Sequence, residues 1–532
     1  MKKIAAMLAS VALIGVGVEV TATASPTRSL VRSPATATAA DSTIGWGRCA
    51  AASLREAHAR CAMLDVPLDY ANPSGPQIQL ALSRVQHTVP SADYQGVMLV
   101  NPGGPGGSGL GLVTLGQYVP HDAGNAYDWI GFDPRGVGAS RPSLSCIPKY
   151  FHGDRPPYVP STPELETTWL GRSESYADAC AADAPDLLPH MSTIDAARDM
   201  DSIRQALGVE QINYYGFSYG TYLGQVYATL FPGRIRRAVF DGTVDPRNVW
   251  YQANLDQDIG FDRNLHIWFQ WLAKYKDVYH LGKTEQAVAR RFEAEQAALK
   301  RHPAGGVVGP DEWSDAFLYA GYYQVLWTYL GNVFSDWVHH DAADKLIDAY
   351  RFADSPGNDN GFAVYLAVGC TDAQWPQAWS TWQEDNWAVY EEAPSATWLN
   401  AWFNAPCFFW AAPAGIPVAV NGGTTPVLMI NETLDAATPY EGSLYVRSVF
   451  PNAVLIAEPG GTTHAGSLFG NRCVDNRIAS FLANGTMPPR QPGGEADLEC
   501  DPLPQPVPKG ARNRASRPDD NVAARVIPIF GT

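Results

Sequence analysis

Gln211-Ile-Asn-Tyr-Tyr-Gly216-Phe217-Ser218-Tyr219-Gly220-Thr221-Tyr222 is the stretch that decides the fold. A short β-prone run enters Gly-x-Ser-x-Gly and leaves in a helical pattern of Leu223, Val226, Tyr227 and Leu230. A serine so placed sits on a sharp strand-to-helix turn, where flanking glycines give the backbone room and the helix N-terminus supplies positive potential. On its own the pentapeptide is weak, since a serine beside glycine also makes an ordinary turn or N-cap. Its context must decide: a strand before it, a helix after it, an oxyanion loop upstream, then an acid and a histidine downstream.

Upstream, Val97-Met98-Leu99-Val100 is a continuous apolar run of the kind a strand buried on both faces requires. Asn101-Pro102-Gly103-Gly104-Pro105-Gly106-Gly107-Ser108-Gly109 follows, and glycines there let backbone N–H groups converge on an oxyanion. No Gly-Lys-Ser/Thr follows, which removes the phosphate-cradle reading. Two alternating strands are expected between Ala62 and Val85 around Asn72-Pro73-Ser74-Gly75, and a buried one at Trp129–Phe132. Asp133 and Arg135 are expected to form a structural ion pair. The segment from Ser143 to Pro189 is irregular and Pro-rich, while Thr193 to Leu207 has helical periodicity with Thr193 as cap and Gly208 as stop.

Downstream, Ala238-Val239-Phe240 is a strand, after which strand patterning stops until Pro426-Val427-Leu428-Met429-Ile430. The intervening helical stretch holds 13 of the 16 tryptophans, which makes it a subdomain with its own aromatic core. Asn431-Glu432-Thr433-Leu434-Asp435 closes the returning strand, and Ala453–Ala457 leads to Gly460-Gly461-Thr462-Thr463-His464. A helix is expected near 472–482.

Serine needs a base that works near neutral pH, and that base needs a carboxylate to fix its tautomer. Ser218, Asp435 and His464 occur in the order nucleophile, acid, histidine, and the N–H groups of Gly104 and Tyr219 are the expected oxyanion donors. Asp435 is also placed to cap the helix that Pro439 begins, and Glu432 and Asp245 are alternative acids. The reading is α/β: a mostly parallel sheet flanked by helices, with a large helical cap inserted after the strand that follows the elbow.

The ends and the composition bound the setting. Met1-Lys2-Lys3, the apolar run Ile4–Val18 and Ala22-Thr23-Ala24 form a signal-peptide pattern over 1–24, followed by a leader or pro-segment at 25–43. Core is expected at 44–245 and 417–500, cap at 246–416, and a Pro-rich tail at 501–532. Net charge of −16 disfavours nucleic acid and anionic membrane surfaces. Eight cysteines at 49, 61, 146, 180, 370, 407, 473 and 500 suit disulfides in an exported chain, and pairing of successive neighbours is the simplest connectivity. None forms Cys-x-x-Cys, so no metal is expected, and no cofactor.

The set Val97–Gly109, Asp133-Pro-Arg-Gly-Val-Gly-x-Ser140, Gly216-Phe-Ser-Tyr-Gly and the Asp435 and His464 loops resembles secreted actinobacterial tripeptidyl aminopeptidases of the α/β-hydrolase fold. The Gly-Gly-Pro-Gly core is also similar to that of prolyl iminopeptidases, although this chain has Asn101-Pro102 where they show His. The resemblance implies a secreted, monomeric serine exopeptidase that takes peptides or proteins by a free N-terminus, with Ser218 as nucleophile, His464 as base and Asp435 as its orienter. An esterase or small-molecule amidase on the same residues is the rival. Amine-binding carboxylates are not located by any motif; Asp256, Asp258, Asp262 and Asp372 in the cap are candidates.

Overall fold

The computed structural model describes residues 44–511. The expected signal peptide and leader, and residues 512–532 of the tail, lie outside them. Ten strands form one twisted sheet in the order β1-β2-β3-β5-β4-β6-β7-β8-β9-β10. They are β1 (Gly47–Arg48), β2 (Arg60–Pro67), β3 (Gln77–Val85), β4 (Gly96–Asn101), β5 (Tyr127–Phe132), β6 (Ile212–Phe217), β7 (Ile235–Asp241), β8 (Val427–Glu432), β9 (Ala453–Glu458) and β10 (Leu498–Glu499). The pairs from β1 to β5 through β2 and β3 are antiparallel, and every pairing from β5 through β4 to β10 is parallel. Both faces of the parallel part are covered, so β6, β8 and β9 are buried along their whole length and carry no alternation.

Helices α1 (Pro163–Asp183), α2 (Thr193–Ala206) and α3 (Tyr219–Leu230) precede the long helical stretch between β7 and β8. That stretch comprises α4 (Tyr251–Lys274), α5 (Glu285–Leu299), α6 (Pro310–Tyr322), α7 (Trp327–His340), α8 (Ala343–Asp354), α9 (Asn360–Asp372), α10 (Trp379–Glu392) and α11 (Thr397–Asn404). After it come α12 (Tyr440–Val449) and α13 (Arg472–Asn484).

The tryptophans of the stretch do not share one core. Trp268, Trp271, Trp313 and Trp327 pack with Phe292, Phe317 and Phe334. Trp375 and Trp382 join the core of the sheet, with α9 residues Phe362 to Val368. Trp398 and Trp402 pack on Trp169 of α1. Helical periodicity is the same for all of these residues, so their partition was not readable from the sequence.

Three local expectations are corrected. The segment after Ser143 contains the 21-residue α1, capped by Thr162 and opened by Pro163; its low amphipathicity hid it. Helix α2 is capped by Ser192, whose hydroxyl accepts from Asp195 N, while Thr193 is its first residue. Arg135 pairs with Asp199 at 2.7 Å, both fully buried, and Asp133 instead takes the Ser108 hydroxyl and the Ala139 N–H. The eight cysteines pair as successive neighbours: Cys49–Cys61, Cys146–Cys180, Cys370–Cys407 and Cys473–Cys500. Residues 501–511 are irregular but anchored, because Leu503 packs on the helical core and Trp271 Nε1 donates to Pro506 O.

Candidate active site

Ser218 lies between β6 and α3 with φ 54° and ψ −127°, a region that non-glycine residues enter only under constraint. The constraint is steric. A Cβ at Gly216 would meet Gly220 O at 2.5 Å, and one at Gly220 would meet Asn101 O at 2.7 Å. The turn therefore closes only with glycine on both sides of the serine, and β7 pins it by Ser218 N donating to Asp241 O at 2.9 Å.

The glycine loop after β4 folds over this turn. Asn101 Oδ1 accepts from Gly103 N at 2.9 Å, and a Cβ at Gly103 would stand 2.9 Å from Ser218 Cβ and 3.0 Å from Tyr219 N. Gly103, Gly104 and Gly106 all have positive φ, a run that only glycines hold without strain. Gly104 is exposed and Tyr219 N opens α3, where no intrahelical acceptor exists. Tyr219 N thus adjoins the serine, and Gly103 is the loop glycine that stands against it, with Gly104 next in the chain.

The acid and histidine loops extend β8 and β9. His464 Nδ1 lies 2.8 Å from Asp435 Oδ2 and 3.0 Å from Oδ1, and both residues are buried. Asp435 also accepts from Ala437 N at 2.9 Å, Thr438 N at 3.1 Å and the Thr438 hydroxyl at 2.7 Å. The turn-capping and imidazole-orienting readings of Asp435 are therefore compatible: the same carboxylate closes its turn and meets the ring. Thr438 Oγ1 stands 3.3 Å from His464 Nδ1, a contact the sequence did not announce. The ring comes to the elbow through β7, since a Cβ on Gly242, next to the Asp241 that holds Ser218, would touch His464 Cε1 at 3.0 Å. Tyr322 at the end of α6 faces the imidazole, with centroids 5.9 Å apart, and its carbonyl accepts from His464 N at 2.8 Å.

Of the alternative acids, Asp245 is paired with the exposed Arg247 at 2.6 Å. Glu432 points under the histidine loop, accepting the Thr463 N–H, and a Cβ at Gly461 would collide with its carboxylate. Glu432 lies directly across the parallel pair from Glu458, and Asn471 Nδ2 donates to Glu458 at 2.6 Å. Burial, then the neighbouring Glu458, raises the Glu432 pKa well above the carboxylate range; burial pushes Glu458 up to about 8. Asp241 is raised to about 6, mainly by burial.

The four cap carboxylates have separate surroundings. Asp256 accepts from Asn248 and Gln252. Asp262 accepts from Ser395 N and lies 3.8 Å from His266. Asp372 is held by Thr193 N, the Thr193 hydroxyl and Trp250 Nε1, with its pKa pushed by burial to about 6. Asp258 is buried with one neutral donor, Asn400 Nδ2. Among the described residues no cluster could hold a metal ion, and no helix is long and apolar enough to cross a membrane.

Residues 96–464 match the model of the α/β-hydrolase fold. The chain is 40% identical to a tripeptidyl aminopeptidase of Streptomyces lividans over 89% of each chain. It is 30% identical to the serine protease Hip1 of Mycobacterium tuberculosis, over 81% of this chain and 86% of that one. It is 31% identical to a carboxylesterase B of the same species, over 84% of this chain and 86% of the relative. The chain belongs to the α/β-hydrolase family and, within it, to the serine peptidases that include the Streptomyces tripeptidyl aminopeptidases. It is a serine hydrolase.

Proposed function

We propose that the protein is an exported aminopeptidase that releases tripeptides from free N-termini through Ser218, His464 and Asp435. The observation that carries the reading is the buried Asp435–His464 contact together with a strained serine against which the glycine loop after β4 packs at Gly103. In acylation His464 Nε2 takes the Ser218 proton as Oγ bonds to the peptide carbonyl carbon. The oxyanion forms against the N–H groups of Gly104 and Tyr219. Collapse breaks the C–N bond, and the imidazolium gives its proton to the departing amine. Water then attacks the acyl-enzyme with His464 as base, restoring the serine and releasing the tripeptide acid.

The carboxylesterase relative favours a second reading, ester hydrolysis by the same residues. Export is supported by the four cysteine pairs, which persist in oxidising compartments. Hydrolysis rates for a tripeptide anilide, its N-acetylated form and a short acyl ester decide between the readings. The aminopeptidase predicts turnover of the free anilide and strong loss on acetylation. Turnover of the ester alone would replace it with the esterase.

A further inference from the structure

The backbone of Tyr219 is placed by the elbow, but its ring is held from elsewhere. The phenol oxygen lies 2.8 Å from Oγ1 of Thr193, the first residue of α2. Thr193 is bound in turn to Asp372: its hydroxyl donates to Oδ2 at 2.6 Å and its N–H to Oδ1 at 2.6 Å. All three residues are buried. The direction of each bond follows from the acid, because Asp372, with a pKa of about 6, is a carboxylate at neutral pH and only accepts. The Thr193 proton is therefore committed to Asp372, and the Tyr219 hydroxyl donates to Thr193 Oγ1. Trp250 closes the enclosure. Its Nε1 donates to Asp372 Oδ2 at 3.1 Å, and its ring lies 5.9 Å from that of Tyr219 and 5.2 Å from that of Tyr222.

Asp372 ends α9, and that helix is fixed at both ends. In its first turn Asn360 Oδ1 accepts from Gly138 N at 2.8 Å, while Asn360 Nδ2 donates to Gly136 O at 2.8 Å and Leu144 O at 2.7 Å. Gly361 stands against the glycine loop, since a Cβ at Gly106 would collide with Gly361 O. In the last turn Cys370 is bridged to Cys407, and Thr371 O accepts from Gly415 N at 2.7 Å. The 13 residues of the helix span about 18 Å between these anchors. One helix thus touches the glycine loop at its start and, through Thr193, the residue after the nucleophile at its end.

A plainer role for Asp372 is to cap α2, whose first N–H groups have no intrahelical acceptor. Ser192 already caps that helix through Asp195 N. A cap explains the bond from Thr193 N. It does not explain the relay from the Thr193 hydroxyl to Tyr219.

We propose that Asp372 is a positioning residue for the oxyanion hole: acting through Thr193 Oγ1 it fixes the Tyr219 ring, and with it the direction of the Tyr219 N–H. The assignment rests on the roles proposed above for Ser218 and Tyr219, and it holds for a peptide or an ester substrate alike. A donor aimed in advance at the developing oxyanion needs no reorganisation in the transition state. Freeing the ring therefore costs rate more than it costs substrate binding.

The test compares Thr193→Val, which removes the hydroxyl, with Thr193→Ser, which keeps it, and with Tyr219→Phe, which removes only the phenol oxygen. The substrate is whichever of the tripeptide anilide and the short acyl ester the unaltered enzyme turns over. Thr193→Val and Tyr219→Phe should each lower kcat about 10- to 100-fold with KM within about 2-fold, and Thr193→Ser should recover most of the loss. Affinity for phenylboronic acid, whose tetrahedral adduct on Ser218 directs an oxygen at the oxyanion donors, should fall by the same factor as kcat. Equal kcat across the set, a serine variant no better than the valine, or a lower thermal midpoint with kcat per folded enzyme unchanged overturns the assignment. Tyr219→Phe decides it if valine at 193 does not fold. Turnover that survives Ser218→Ala would instead defeat the serine mechanism, and this assignment with it.

Discussion

The carboxyl edge of β6 to β9 and the helical stretch between β7 and β8 solve opposite problems. At the edge, polar and strained groups are held by short backbone contacts: Ser218 by Asp241 O, the acid by its own turn, the histidine loop by Glu432 and Tyr322 O. The helical stretch is held by aromatic area, and it leaves the indole N–H groups of Trp313, Trp337, Trp398 and Trp410 without a partner among the described residues. Its stability tolerates those omissions because each large ring contributes dispersion and burial in bulk. Function at the edge depends on single atoms. Stability in the helices depends on volume.

Substitutions can break or sharpen that contrast. Ser218→Ala should cost at least about 10⁴-fold in kcat/KM with little change in thermal midpoint, and Asp435→Asn about 10⁴-fold, read by steady-state kinetics beside calorimetry. A large loss of stability in either would show that the edge also carries the fold. Arg155→Met should act in reverse. Arg155 is buried against Glu312, Asp315 and Asp354, linking the segment before α1 to α6 and α8, and its removal leaves three carboxylates uncompensated. About 3–5 kcal/mol of stability should go while the folded enzyme keeps its turnover number.

Cys473→Ser with Cys500→Ser opens a bridge spanning 27 residues, and should cost about 3 kcal/mol, seen in denaturant midpoints. The smallest effect expected is that of Glu458→Gln. The folded-state pKa of Glu458 is about 8, raised above its unfolded value, so the folded form binds the proton more tightly. That contribution to stability is complete below the unfolded pKa, near 4.5, and is lost as pH rises through about 8. The thermal midpoint of the native protein should fall between pH 5 and pH 9, and the amide should lessen the fall. An unchanged pH dependence would mean that the histidine loop does not register the charge beneath it.

Much of the edge was legible because its constraints are local. Continuous apolar runs at Val97–Val100 and Pro426–Ile430 announce strands covered on both faces, and Gly216 and Gly220 announce a turn that excludes a Cβ. Helix α1 was missed because its capping signal, Thr162-Pro163, lies in a Pro-rich segment and its apolar face is weak. The pairing of Arg135 with Asp199 joins residues 64 apart, and adjacency to Asp133 pointed the wrong way.

The order of chemical groups along the chain and the two-sided burial of the central strands were set by residue type and spacing alone, because each depends on contacts within one strand or turn; the cysteine pairs, up to 37 residues apart, were decided by the fold. Tertiary structure alone decided which donors each of the four cap aspartates meets, how the tryptophans divide among three cores, and that two glutamates face each other beneath the histidine. Those outcomes depend on which buried groups meet across long loops, and burial acts on a charge through its neighbours in space, whatever their distance in the chain.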